Sequence, residues 1–256
     1  MNRPNMYIGI KNILVAQVLA VLLLGLLTPT NTLVAKYDSG GVIGNLHMAV
    51  WSVSTVGWIC AGTCMILGLA QLRNSSRWFH KAYHLMLAII AGVVAGSVCF
   101  AAAVLIGPMQ MREGLEEIEA SYQTYWLFGL LLILAVVFLL AVVILGVVFN
   151  RFFLWGCAAI SEEFGHPGNA LVARVLFPVG IATLIGGIAA VCYYYYQSLS
   201  SAVDSRMMES ARFDLGLMGS LWLMTQLLVI VVTFRTWRFT VGEKPARPLT
   251  DDTRMI

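Results

Sequence analysis

Six runs of apolar residues, each long enough to cross a bilayer, constrain this chain more than any other feature. They cover approximately 12–29, 48–71, 83–108, 125–149, 173–196 and 215–234. A spanning helix needs about 20 apolar residues to cross a hydrocarbon core of about 30 Å. Within hydrocarbon every backbone N–H and C=O must be paired inside the protein, so only helices and closed barrels cross. The apolar–polar alternation of barrel strands is missing. The runs therefore predict an all-α integral membrane protein, a bundle of six transmembrane helices. Composition agrees: 59% of residues are hydrophobic and 11% charged, where a soluble domain carries about 25% charge. The first run follows Arg3 and Lys11 and ends at Thr28-Pro29-Thr30 without a small-residue cleavage site. It is expected to stay as a helix rather than be removed as a signal.

Lys and Arg set the orientation. Twelve (Arg3, Lys11, Arg73, Arg77, Lys81, Arg151, Arg174, Arg235, Arg238, Lys244, Arg247, Arg254) fall on one face and four (Lys36, Arg112, Arg206, Arg212) on the other. The richer face is expected to be cytoplasmic, with both termini there, most simply in a bacterial inner membrane. The helices then pair as three hairpins over 1–239, followed by a flexible polar cytoplasmic tail over 240–256 that contains Pro245 and Pro248. Each return helix ends in a basic-aromatic stretch: Arg73 to Phe79, Asn150 to Phe153 and Arg235 to Phe239. An interfacial aromatic belt beside inward-biased arginine explains these stretches better than a true internal repeat does.

Small residues let membrane helices approach closely. Gly92 and Gly96 in the third run, and Gly180, Gly186 and Gly187 in the fifth, are the expected helix-packing positions and place these two helices at the bundle's centre. The fourth run, rich in Leu, Val and Ile, is expected to face lipid or a partner protein. It is extended or turned along the interface over 152–164 and stopped by Gly165-His166-Pro167-Gly168. Asn169 is the expected N-cap of the fifth helix, and Pro178 is positioned to kink it.

Two outer segments look helical. Gln110 to Tyr122 carries Glu113, Glu116, Glu117 and Glu119 without the ligand spacing of a calcium loop. Ser200 to Asp214 carries Met207, Met208 and Ala211 on one apolar stripe, a candidate partner-binding face.

Catalytic, cofactor and metal signatures are not found. His47, His80, His84 and His166 do not offer two ligands at one depth for haem. The pairs His80/His84 and Cys60/Cys64 are four residues apart, a spacing that half a metal site and two packing residues share. Glu162 and Glu163 with His166 make no zinc or acid–base set without further ligands. Phosphate loops, nucleophile elbows and long basic runs are lacking, which argues against nucleotide chemistry and nucleic-acid partners. No ionisable side chain lies in the middle of a run, so proton pumping is not expected. Gln17 and Gln226 are the strongly polar side chains inside the runs, with several threonines.

These features lead to a non-catalytic transmembrane subunit that scaffolds or stabilises a larger membrane complex. Its partners are lipid and either other membrane subunits or its own copies. The alternative is a channel or facilitator for a small solute, with Gln17 and Gln226 lining the path. An interfacial enzyme acting on lipid or quinone is a weaker third reading.

Overall fold

All six apolar runs are helical. The computed structural model describes residues 3–37, 41–113, 118–199 and 205–242, with side-chain surroundings over 5–27, 47–105, 126–197, 213–214 and 216–241. The helices are α1 (Arg3–Tyr37), α2 (Gly41–Leu72), α3 (Arg77–Glu113), α4 (Ile118–Glu163), α5 (Pro167–Leu199) and α6 (Ser205–Gly242). All six are long and apolar enough to cross a membrane, through Asn5–Leu27, His47–Leu72, Arg77–Leu105, Trp126–Glu163, Pro167–Gln197 and Gly216–Val241.

Threonine and serine hydroxyls inside these helices are satisfied locally. Thr55, Thr63, Thr225 and Thr233 each donate to the carbonyl four residues earlier. That bond lets a hydroxyl sit in an apolar setting without a partner on another helix.

The helices outrun the apolar runs. The Ser200 to Asp214 segment does not form a separate loop helix, because Ser205 onward is the first part of α6. The side chains of Met207, Met208 and Ala211 lie outside the described residues. The acidic stretch from Gln110 to Tyr122 likewise divides between the end of α3 and the start of α4, with 114–117 outside the described residues. α4 continues to Glu163, so of the two expected courses for 152–164 the helical extension is the one adopted.

Contacts divide the chain into two units, Met1–His80 with Phe152–Ile256, and Lys81–Arg151. In the first unit α1 packs against α2 and α6, and α5 against α6. Its buried seam includes Ile10, Ile13, Leu69, Leu72, Phe79, Leu154 and Val232. The tightest crossing is between two glycines. A Cβ on Gly68 would lie 2.6 Å from the Gly9 carbonyl oxygen, and a Cβ on Gly9 would lie 2.9 Å from the Gly68 oxygen. Leu23 lies over Gly57, and the Phe79 ring over Gly156, at distances that leave no room for a methyl group.

In the second unit α3 meets α4 at its glycines: a Cβ on Gly92 would touch Val142 at 2.9 Å, and one on Gly96 would touch Phe138 at 3.2 Å. The most apolar stretches of α3 and α5 bury 6% and 11% of their residues, against 22% for α1, α2 and α6. The most enclosed spans are those closed by the Gly9–Gly68 crossing and its neighbours.

The first unit gathers one end of its helices together. Tyr7 of α1 stacks on Trp237 of α6 at 5.8 Å. Asn12 donates to Gln71, Trp78 stacks on Phe152 at 5.8 Å, and Trp155 meets Phe177 edge-on at 5.6 Å. Lys11, Arg73, Arg77, Arg235 and Arg238 therefore share this end with a layer of aromatic rings, the arrangement of an interfacial belt beside basic residues.

Candidate functional site

The turn between α4 and α5 builds a polar corner at the arginine-rich end. Gly165 ends α4 at φ 81°, a left-handed conformation that glycine adopts without strain. Its N–H donates to the Glu162 carbonyl at 3.1 Å, and the His166 N–H donates to the Ser161 carbonyl at 2.8 Å. This pair of bonds is the Schellman closure of a helix C-terminus. One residue later Pro167 opens α5, where a missing N–H costs nothing. The His166 carbonyl accepts the first α5 bond, from Ala170 N–H at 3.3 Å. His166 thus stands at the cap position expected for Asn169.

Asn169 instead faces inward. It is 6% exposed, and Ser161 and Thr236 are fully buried. Asn169 Nδ2 donates to Ser161 Oγ at 2.8 Å and to Thr236 Oγ1 at 3.2 Å. Both hydroxyls spend their protons on backbone, Ser161 on the Cys157 carbonyl and Thr236 on the Val232 carbonyl, each at 2.8 Å. Their oxygens are therefore free to accept, which fixes the amide nitrogen as the atom between them. One side chain from each of α4, α5 and α6 meets in this knot. A hydrogen bond of this kind contributes about 0.5–1.5 kcal/mol net, and more is lost when a buried partner is orphaned. Asn169 Oδ1 is buried without a hydrogen-bond partner.

Beside the knot lies an open pocket of about 900 Å³, walled by the α4–α5 turn, the first residues of α5 and one face of α6. Val231, Phe234, Arg235 and Arg238 supply that face at helical spacing. The His166 ring lies flat on Phe239, centroids 3.6 Å apart, and closes one side. Arg235 and Arg238 are exposed, and among the described residues neither makes an ion pair. Near the turn Arg174 reaches Glu162 at 2.7 Å, with both side chains nearly half exposed. Such a surface pair contributes at most about 1 kcal/mol.

The residues singled out from sequence are placed as follows. Glu162 is turned to Arg174, and the His166 ring lies on Phe239. His47 lies edge-on to Trp51 at 6.1 Å, and its Nδ1 is buried without a partner. His80 and His84 are exposed, with His84 against Tyr83. All five cysteines are free, Cys60 exposed and Cys64 half-buried. Among the described residues no group of three His, Cys, Asp or Glu could hold a metal ion. Gln17 and Gln226 are half-buried, and Gln17 Oε1 is buried without a partner. A Cβ on Gly186 would meet Met218 Sδ at 2.9 Å, whereas one on Gly187 would meet nothing within 4 Å. Gly180 is half-buried, and its carbonyl accepts from Thr183 at 3.0 Å.

The Asn169 knot, the Gly9–Gly68 crossing and the two-arginine pocket were not identified from sequence. The i, i+3, i+4, i+7 spacing of Val231, Phe234, Arg235 and Arg238 was visible there. The reversal at Gly165 to Gly168 was also visible, but the packing of α5 against this face of α6 was not.

Compared with protein-family models, with curated proteins and with solved structures, the chain matches none.

Proposed function

We propose that this chain is a non-catalytic transmembrane subunit that scaffolds or stabilises a larger membrane complex. Its six spans form three hairpins, and both termini lie in the cytoplasm of a bacterial cell. The observation that carries this reading is the surface of α4. Its most apolar 18-residue stretch has a mean hydropathy of 3.5 and buries none of its residues within the chain. Ile133, Val136, Val137, Leu140 and Ile144 are all exposed along it. A smooth aliphatic helix of this kind offers a partner span a surface for close packing and offers a solute no polar group. The Met207, Met208 and Ala211 stripe at the start of α6 is the second contact surface in this reading.

A facilitator for a small solute is the second reading. It is favoured by Gln17, whose Oε1 lies buried in the α1 span without a partner. An unmet acceptor at that depth calls for water or a passing donor.

Extraction in a gentle detergent, followed by size measurement and mass spectrometry of co-purifying chains, separates the two. A defined set of other membrane chains at fixed stoichiometry supports the subunit. A lone homo-oligomer that passes small polar solutes in liposomes supports the facilitator and overturns the subunit.

A further inference from the structure

We propose that the pocket between the α4–α5 turn and α6 binds the phosphate of an anionic membrane phospholipid. This site stands independently of any partner of the chain.

Four features of the pocket converge on that ligand. The first is unbalanced positive charge. Arg235 and Arg238 lie one turn apart on the pocket face of α6, and neither has an acidic partner among the described residues. Guanidinium forks match phosphate oxygens in geometry and in charge. Glu162, the nearest acid of the turn to carry a resolved pair, is already bound to Arg174.

The second feature is the start of α5. Gly168 and Asn169 line the same pocket, and at the first turn of a helix their N–H groups have no intrahelical acceptor. Those donors and the positive end of the helix dipole favour an anion at this point. The third is Asn169 itself. Its amide is tied to Ser161 and Thr236, so the first turn of α5, whose N–H groups border the pocket, is held in place by the knot behind it.

The fourth feature selects lipid over a free anion. The lining grades from polar to apolar along α6, from Arg238 and Phe239 to Phe234 and Val231. Eight residues of helix rise about 12 Å, enough to pass from a headgroup toward the first carbons of an acyl chain. The stretch of α6 involved belongs to its membrane-spanning segment. The aromatic layer of Tyr7 and Trp237 lies alongside. Phosphate at that level is lipid phosphate. Basic pockets among transmembrane helices hold headgroups by this chemistry.

The test uses the full-length protein, purified in mild detergent and titrated with phosphatidylglycerol, phosphatidylcholine or inorganic phosphate. Binding is read by native mass spectrometry and by the shift in unfolding temperature. Phosphatidylglycerol should form a saturable one-to-one adduct and raise the unfolding temperature. Phosphatidylcholine should do neither, and excess inorganic phosphate should not displace the lipid. Each arginine near an anionic headgroup supports binding by about fivefold, so Arg235→Gln with Arg238→Gln should weaken the adduct roughly thirtyfold. Lys11→Gln with Arg73→Gln, at the same end but outside the pocket, should leave it within about twofold of the parent.

Equal binding of phosphatidylcholine to the unmodified protein would overturn the proposal without recourse to any variant. Stabilisation by inorganic phosphate alone would make the ligand a free anion and overturn the lipid assignment. Equal losses in the two double variants would reduce the effect to general surface charge and overturn the site.

Discussion

Replacing Gly68 by alanine tests the central packing of this protein at a single methyl group. The added Cβ would stand 2.6 Å from the Gly9 carbonyl oxygen, 2.6 Å from Ile13 Cγ1 and 3.1 Å from the Ile13 nitrogen. Ordinary contact begins near 3.4 Å, so α1 and α2 must part by about 0.8 Å. The oxygen and the nitrogen are backbone atoms, so no rotamer change relieves them. Overpacking of this kind costs about 1–3 kcal/mol. Alanine in place of glycine inside a helix returns roughly 1 kcal/mol of propensity. The net expectation is a loss of about 0–2 kcal/mol for Gly68→Ala, and more for Gly68→Val, whose branches add further contacts without raising helix propensity. Gly187→Ala supplies the opposite sign. Nothing lies within 4 Å of its Cβ position, so the propensity gain stands alone and stability should rise or hold.

The crossing is mutual, and that sharpens the test. Gly9→Ala meets the Gly68 oxygen at 2.9 Å and Leu72 Cγ at 2.8 Å. Once the helices have separated for one methyl group, the second requires less. The double variant should lose less than the sum of the singles, by about 0.5 kcal/mol or more. Unfolding of the purified protein in mixed micelles, followed by tryptophan fluorescence, measures all four species. Strict additivity, or a Gly68→Ala protein more stable than Gly187→Ala, would refute the close crossing.

Asn169→Ala removes the donor that joins Ser161 to Thr236, and should destabilise the protein by about 1–3 kcal/mol in the same assay. Asn169→Asp presents a carboxylate to two acceptor oxygens and should be the worse of the two at neutral pH, with part of the difference recovered on acidification as the carboxylate takes up a proton. Cysteines introduced near Tyr37, Glu117 and Asp204 should be labelled from outside the cell, and those near Ser75, His166 and Asp251 should not; outside labelling of the tail would overturn the proposed topology. Met207→Asp with Met208→Asp should release co-purifying chains while leaving the spans inserted, since the added charge is buried in the complex alone; unchanged co-purification would remove this stripe as a contact surface.

What sequence determined by itself was the set of elements. A run of about 20 apolar residues has no stable alternative to helix in hydrocarbon, because its peptide groups must pair within the run. Hence all six helices and the stop at Gly165 were legible from residue type alone, whereas for 152–164 a helical extension and a turn along the interface both remained open. Gly165 and Pro167 act through backbone conformation, a local property. Which faces meet was not local. Gly68 and Gly187 look alike in sequence, each a glycine in an apolar helix. Only the register of the neighbouring helix puts a carbonyl oxygen 2.6 Å from one and open space beside the other. Asn169 carried a local signal that pointed to a cap, and tertiary packing overrode it. Once α4 and α6 place Ser161 and Thr236 beside α5, two fully buried acceptor oxygens hold the amide more strongly than a helix terminus already closed by Pro167. Arg235 and Arg238 read as interfacial arginines, as charge bias requires. Their arrangement as one wall of a pocket follows from the turn that folds α5 back across them. The bilayer fixes what each segment becomes, and contact between segments distant in the chain fixes where a ligand can sit.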